Sequence, residues 1–240
     1  IDTTRPPLNN RNVRMALNLA IDRNALRGSI FSKDVIPATQ LVVASINGHN
    51  PELKVWPYDL AKAKQLLAKA RSEGANLDQE IVLIGRTNIY PNATEVMEAT
   101  MAMYQELGLN VKLKMYEVGE WLDLLLKPYA EDRGPALQQS QHDNNNGDAV
   151  FTVYTKYHCE GSNSTVCDKN LDAIIEKAGQ AVGIDRRDLY RDGFRIINDE
   201  IIADVPLFHM VGYTRVATRL GFTPDISTNS ELQLSRMTFK

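Results

Sequence analysis

The stretch from Glu80 to Val118 limits the fold more than any other part of this chain. "EIVLIG" is a short unbroken apolar run, as expected of a strand covered on both faces. After "RTNIYPNAT", Pro91 suits a first helical turn, and Ala93, Val96, Met97, Thr100, Tyr104 and Leu107 keep the 3.6-residue period as far as Gly108. "LNVKLKMYEV" then alternates: Leu109, Val111, Leu113 and Met115 fall on one side, and Asn110, Lys112, Lys114 and Tyr116 on the other, the pattern of a strand with one solvated face. Strand, helix and strand with a short return form a βαβ unit, so the sheet is at least partly parallel and its crossover right-handed.

Helices flank this unit. Val13, Ala16, Leu17, Ala20 and Ile21 make one apolar stripe, which Asn9 or Asn10 can cap and Gly28 can end. Asp59 can cap a second helix carrying Leu60, Ala63, Leu66, Leu67 and Ala70, stopped by Gly74. "GEWLDLLLKPY" reads as another helix, with Trp121 expected in the core. Two more carry Leu171, Ile174, Ile175 and Ala178, then Tyr190, Phe194, Ile197 and Ile201, before a β-like "VPLFHMVGYTRVATRL". The expected class is α/β, a mixed, partly parallel sheet flanked by helices. At 240 residues and 43% apolar, the chain can bury one large or two modest cores. A net charge of −3 with no basic run argues against a nucleic-acid partner, and no apolar run approaches the ~20 residues that span a bilayer.

Chemistry-bearing motifs are few. The chain has no G-x-S-x-G, H-E-x-x-H, G-x-x-x-x-G-K-[ST] or post-strand G-x-G-x-x-G, and His49, His142, His158 and His209 are scattered. Catalysis is therefore not expected, and neither is a cofactor. Cys159 and Cys167 lie in "YHCEGSNSTVCDKN", a polar loop. A disulfide there would close a loop of about nine residues, with two unpaired thiols, or a metal held by His158, Cys159 and Cys167, as alternatives. The metal reading lacks paired ligand spacing, and a disulfide implies an oxidising compartment. "HDNNNGD", following a probable strand, is too polar for a core, and loops at the carboxyl ends of parallel strands are where ligands sit in α/β sheets.

Five stretches carry a resemblance: "PPLNNRNVRMALNLAIDRNAL", "NPELKVWPYDLAKAKQLLAKA", "MYQELGLNVKLKMYEVGEWLDLLL", "NLDAIIEKA" and "VPLFHM". In that order they resemble the C-terminal half of the family 5 extracellular solute-binding proteins, the oligopeptide-, dipeptide- and nickel-binding components of ABC importers. The resemblance implies a periplasmic-binding-protein type II lobe over 1–205 and a segment, 206–240, that returns to a first lobe preceding Ile1. It implies a periplasmic or extracytoplasmic location, an ABC permease as membrane partner, and a small solute held between two lobes that close about a hinge. The alternative is an enzyme or self-contained interaction domain of the same α/β form.

Peptide-binding members of this family carry a Trp-x-x-Asp-Tyr-type motif whose aspartate meets the peptide's amino terminus. Here the corresponding place reads "SQHDNNNGDAVF", without the tryptophan or tyrosine. By this resemblance Asp143 is the first candidate for the aspartate and Asp148 the second, with His142, Asn144 and Asn145 beside them. Asn88 and Tyr90 lie on the loop where the family lines its cleft; Tyr90 could equally staple the helix start. The row of amides suits a peptide, an opine or a sugar-like solute.

Overall fold

Strand β2 (Ile81–Arg86) is apolar on both faces because both are covered: Ile81 and Leu83 enter the main hydrophobic core, and Ile84 and Val82 pack with Trp121 on the other side. It pairs in parallel with β3 (Val111–Tyr116), from Ile81 opposite Val111 to Arg86 opposite Tyr116, and on its other edge with β4 (Ala136–Gln138), also in parallel. The computed structural model describes residues 1–142, 147–223 and 234–240. Helix α4 (Ala93–Glu106) connects β2 to β3 and turns Val96, Met97, Thr100 and Tyr104 inward. On the edge strand β3, buried Val111 alternates with exposed Lys112 and Lys114, as the sequence pattern requires. Among the described residues antiparallel pairing stands apart from this sheet, in two short pairs: β1 (Ile36–Pro37) with β5 (Phe208–His209), and β6 (Leu220–Gly221) with β7 (Thr238–Phe239).

Helix α1 (Arg11–Leu19) starts at Asn10, whose Oδ1 accepts from the backbone N–H of Asn12 at 2.8 Å and of Val13 at 3.4 Å. It ends before Ile21 and does not reach Gly28. Asp22 caps a separate short helix, α2 (Arg23–Leu26), by accepting from Ala25 N at 2.9 Å, and this second start interrupts the first helix. Helix α3 (Leu60–Ser72), capped by Asp59, lays Ala63, Leu66, Leu67 and Ala70 into the same core as α1, α4, β2 and β3.

A second core lies under α6 (Val150–Tyr157), α7 (Lys169–Gln180) and α8 (Gly183–Arg195), with Leu171, Tyr190 and Phe194 among its fully buried side chains. Gly48, at φ +97°, brings the loop from Val42 to Leu53 against α8. A Cβ there would stand 2.7 Å from Tyr190 Cβ, so no other residue fits without displacement. Cys159 and Cys167 are joined in a disulfide with their Cα atoms 4.4 Å apart. By loop-closure entropy this link constrains the unfolded chain by about 2.5 kcal/mol. Asp172 Oδ1 accepts from Cys159 N at 2.9 Å and ties the cross-linked loop to α7.

Helix α8 continues into a π-helical segment, Ile196–Ile201, and ends at Ile202 with φ 57° and ψ 62°. For a β-branched residue that conformation costs on the order of 1–3 kcal/mol, and the burial of Ile202 holds it there. The sharp turn directs Ala203 and Asp204 back between the two cores. A third, small cluster packs Trp121 of α5 (Val118–Leu125) on Ile84 and Ala136; its Nε1 donates to Gln139 O at 3.0 Å, so Trp121 is a core residue. Among the described residues no helix is long and apolar enough to cross a membrane.

Candidate functional site

Between the two cores lies a cleft of about 720 Å³ at the carboxyl ends of β2 and β4. Its walls come from the 38–43 segment, the start of α4, the chain leaving β4, Lys156 of α6, and residues 204–212. The carboxyl ends of parallel strands open here because the chain must leave each strand to cross back, and the leaving segments carry the polar side chains.

Gln139 organises one side. Its backbone N–H extends the ladder to Ile84 O at 2.8 Å, its Oε1 accepts from Arg86 N at 2.8 Å, and its Nε2 donates to Tyr90 OH at 2.6 Å. Tyr90 is thereby held on the cleft wall, with Phe31 5.8 Å away and Phe208 4.8 Å beyond Phe31 in an edge-on contact. Burial raises the Tyr90 pKa, so the phenol stays protonated.

The opposite side is charged. Lys156 Nζ donates to Ser140 Oγ at 2.9 Å; burial lowers its pKa and Asp204 opposes that shift. Asp204 Oδ2 accepts from the Tyr157 hydroxyl, and burial with this neighbour holds the Tyr157 pKa well above its ordinary value. His142 meets Thr152 Oγ1 through Nε2 and stacks on Phe151 with ring centroids 5.8 Å apart. Burial, then Lys156, lowers its pKa to about 4, so it is neutral at pH 7.

That shift sets a pH dependence. Between about 6.5, the ordinary value, and about 4 the unfolded chain binds a proton at His142 that the folded chain refuses. Stability therefore falls as pH drops through this window and levels off below it. His49 and His209 are shifted in the same direction and add to the slope. His142→Gln, which retains a hydrogen-bonding group for Thr152, is expected to flatten the dependence of the urea midpoint on pH between 7 and 4.5. An unchanged slope would show that His142 is not buried as a neutral base.

Of the residues singled out from sequence, Tyr90 and His142 line the cleft. Asn88, at φ 54°, precedes the lining residue Ile89 and is not itself on the wall. Asp143, Asn144 and Asn145 lie outside the described residues. Asp148 stands elsewhere: Arg186 grips it with Nη2 to Oδ1 at 2.7 Å and Nε to Oδ2 at 2.9 Å, while Asn47 and the backbone of Val150 also donate to it. Burial pushes its carboxyl up, but these donors more than offset that and hold it below the usual range. Asp148 thus anchors the start of α6, the helix that carries Lys156. Cys159, Cys167 and the carboxylate of Asp172 lie close together, but both sulfurs are used in the disulfide. His158 faces Glu176 Oε1 at 3.2 Å and accepts from Glu160 N, so the alternative metal reading loses its ligands.

Residues 1–164 match the bacterial extracellular solute-binding proteins, family 5 Middle. The chain belongs to this family. Among its relatives, the dipeptide-binding protein of Escherichia coli K12 is 28% identical over 218 residues, covering 86% of this chain and 40% of its own length. Heme-binding protein A of Haemophilus influenzae is 26% identical over 223 residues, covering 91% of this chain and 40% of its own. The chain thus spans about 40% of the length of these family 5 relatives. HbpA2 from Haemophilus parasuis superposes with a TM-score of 0.83 at 23% identity, over 99% of this chain and 46% of that one. The fold is accordingly the type II periplasmic-binding fold of the family.

Sequence reasoning missed Lys156, Asp204 and Gln139. Lys156 sits in "VFTVYTKY", rich in β-branched and aromatic residues and without a helical period. A lone lysine in such a run was the available signal.

Proposed function

We propose that this chain is the ligand-gripping lobe of an extracytoplasmic receptor that captures a small polar solute and delivers it to an ABC permease in the membrane. The solute is a peptide, an opine or a sugar-like molecule. The observation that carries the reading is the cleft at the carboxyl ends of the parallel strands, walled by aromatic side chains on one side and by Ser140, His142, Lys156 and Asp204 on the other. Such a mixture buries the apolar part of a ligand while a few polar groups fix its orientation.

On this reading residues 1–205 form the lobe and 206–240 return toward a first lobe that closes over the solute. Asp143 supplies a carboxylate for a cationic group on it. The dipeptide-binding name of the Escherichia coli relative supports the peptide class. Mass spectrometry of the intact protein, purified without denaturation and then unfolded to release what it carries, tests the reading. A stoichiometric small polar solute is expected; protein that stays empty, and binds no member of a library of peptides, opines and sugars, would overturn it.

A further inference from the structure

The hydrogen bonds around Gln139 fix which way one proton on the cleft wall must point. The side-chain atom of Gln139 that lies 2.8 Å from Arg86 N has to be the amide oxygen, because a backbone N–H only donates. The other end of the amide is then its NH2 group, which donates to Tyr90 OH at 2.6 Å. Flipping the amide would set donor against donor at Arg86, so the assignment follows from the network. The Tyr90 oxygen therefore accepts from Gln139, and its own hydrogen is turned away from that partner. No described residue accepts this hydrogen. Burial keeps the phenol protonated, so the hydrogen is present at pH 7. Tyr90 and Gln139 both line the cleft, together with Phe31, whose ring centroid lies 5.8 Å from that of Tyr90, and Phe208, 4.8 Å from Phe31. A phenol donor held among apolar rings is costly to leave without an acceptor.

We propose that Tyr90 selects the solute, its hydroxyl donating to a carbonyl or carboxylate oxygen whose attached apolar group packs against Phe31 and Phe208. Gln139 is a positioning residue: by taking the acceptor side of the phenol it leaves Tyr90 only the role of donor toward the cleft. An ammonium group at this place is rejected, because it too only donates and the two hydrogens would face each other. The inference rests on the receptor reading above and narrows it, from a polar solute in general to one with an oxygen acceptor beside an apolar group.

Three probes of matched shape test this: 3-phenylpropionamide, which presents a carbonyl, 3-phenylpropionate, which presents a carboxylate, and 3-phenylpropylamine, whose ammonium only donates. By calorimetry on the full-length protein at pH 7, both oxygen-bearing probes are expected to bind at least about fivefold more tightly than the amine, the contribution of one hydrogen bond. The tighter of the two then tells carbonyl from carboxylate. Tyr90→Phe should remove the advantage while keeping the ring packing. Gln139→Glu should remove it too, although Tyr90 is still present: an ionised carboxylate accepts from Arg86 N with one oxygen and from Tyr90 with the other, which draws the phenol hydrogen away from the solute. With the neutral amide as probe, the double variant should bind no more weakly than Tyr90→Phe alone; an additive loss would overturn the positioning role of Gln139. The wild-type ranking tests the proposal even where a variant misfolds. An amine that binds as tightly as the other two probes, or a folded Tyr90→Phe that keeps the wild-type ranking, overturns the proposal. Binding of a peptide, opine or sugar with none of the three probes overturns the role of Tyr90 and leaves the receptor reading standing; binding of nothing overturns both.

Discussion

Arg23→Met is expected to destabilise the chain by about 3–5 kcal/mol, the usual cost of removing one partner from a buried charged network. The Arg23 side chain is buried, and burial lowers its pKa to about 10. Its Nε donates to Pro206 O at 2.8 Å, and Nη1 reaches Asn18 O, Ile21 O and Trp56 O between 3.2 and 3.4 Å. One guanidinium thus holds the end of α1, the approach to α3 and the segment that enters the cleft wall. Methionine keeps most of the packing of the stem but removes the guanidinium donor from the Pro206, Asn18 and Trp56 carbonyls, and buried orphan acceptors cost more than the hydrogen bonds contribute when made. Urea unfolding should show the midpoint falling, with faster amide exchange around Leu207 and Phe208. A loss below about 1 kcal/mol would mean that water replaces the guanidinium and that the segment is not held by it.

The isolated 240 residues are expected to bind the solute about a thousandfold more weakly than the full two-lobe receptor of the proposed reading. A ligand held in a cleft between lobes has most of its surface buried, and one lobe supplies only part of that cover. If the first lobe contributes ~4 kcal/mol of binding free energy, its absence produces that factor. The chain should still fold, because both of its main cores are built from its own helices and strands. Calorimetry with one solute on both forms decides the matter: equal affinities would place the whole site within these residues and end the two-lobe reading.

Much of the local structure was legible because it depends on neighbours in sequence. The caps at Asn10 and Asp59 satisfy backbone donors two or three residues away, and the periodicity of α4 and of β3 records which side of each element is buried. The disulfide was readable as the favoured of three possibilities, since two cysteines eight positions apart in a polar loop have few other uses. Helix α1 was read too long. Its apolar stripe continues to Ile21, but Asp22 begins a new helix, and periodicity alone does not register such a break.

Helix α6 shows where the reading runs out. Val150, Phe151, Val153 and Tyr154 favour a strand by intrinsic preference, yet the segment is helical. Asp148, pinned by Arg186, caps its first turn, and Ala149, Val153 and Tyr157 bury themselves against α7 and α8. That packing outweighs a preference worth only tenths of a kcal/mol per residue. The same event decides the site. The sequence by itself determined the α/β class and the parallel βαβ unit, because hydrophobic period and capping act over a few residues. Tertiary structure alone decided which charges face the cleft. Asp148, the second candidate for the motif aspartate, is drawn into an ion pair with a residue 38 positions away, while Lys156 and Asp204, 48 positions apart (204 − 156), are brought to the same cleft by the turn at Ile202 and the anchoring of α6. Long-range pairing of this kind leaves no periodic trace in the chain, since it depends on where two separately folded segments meet.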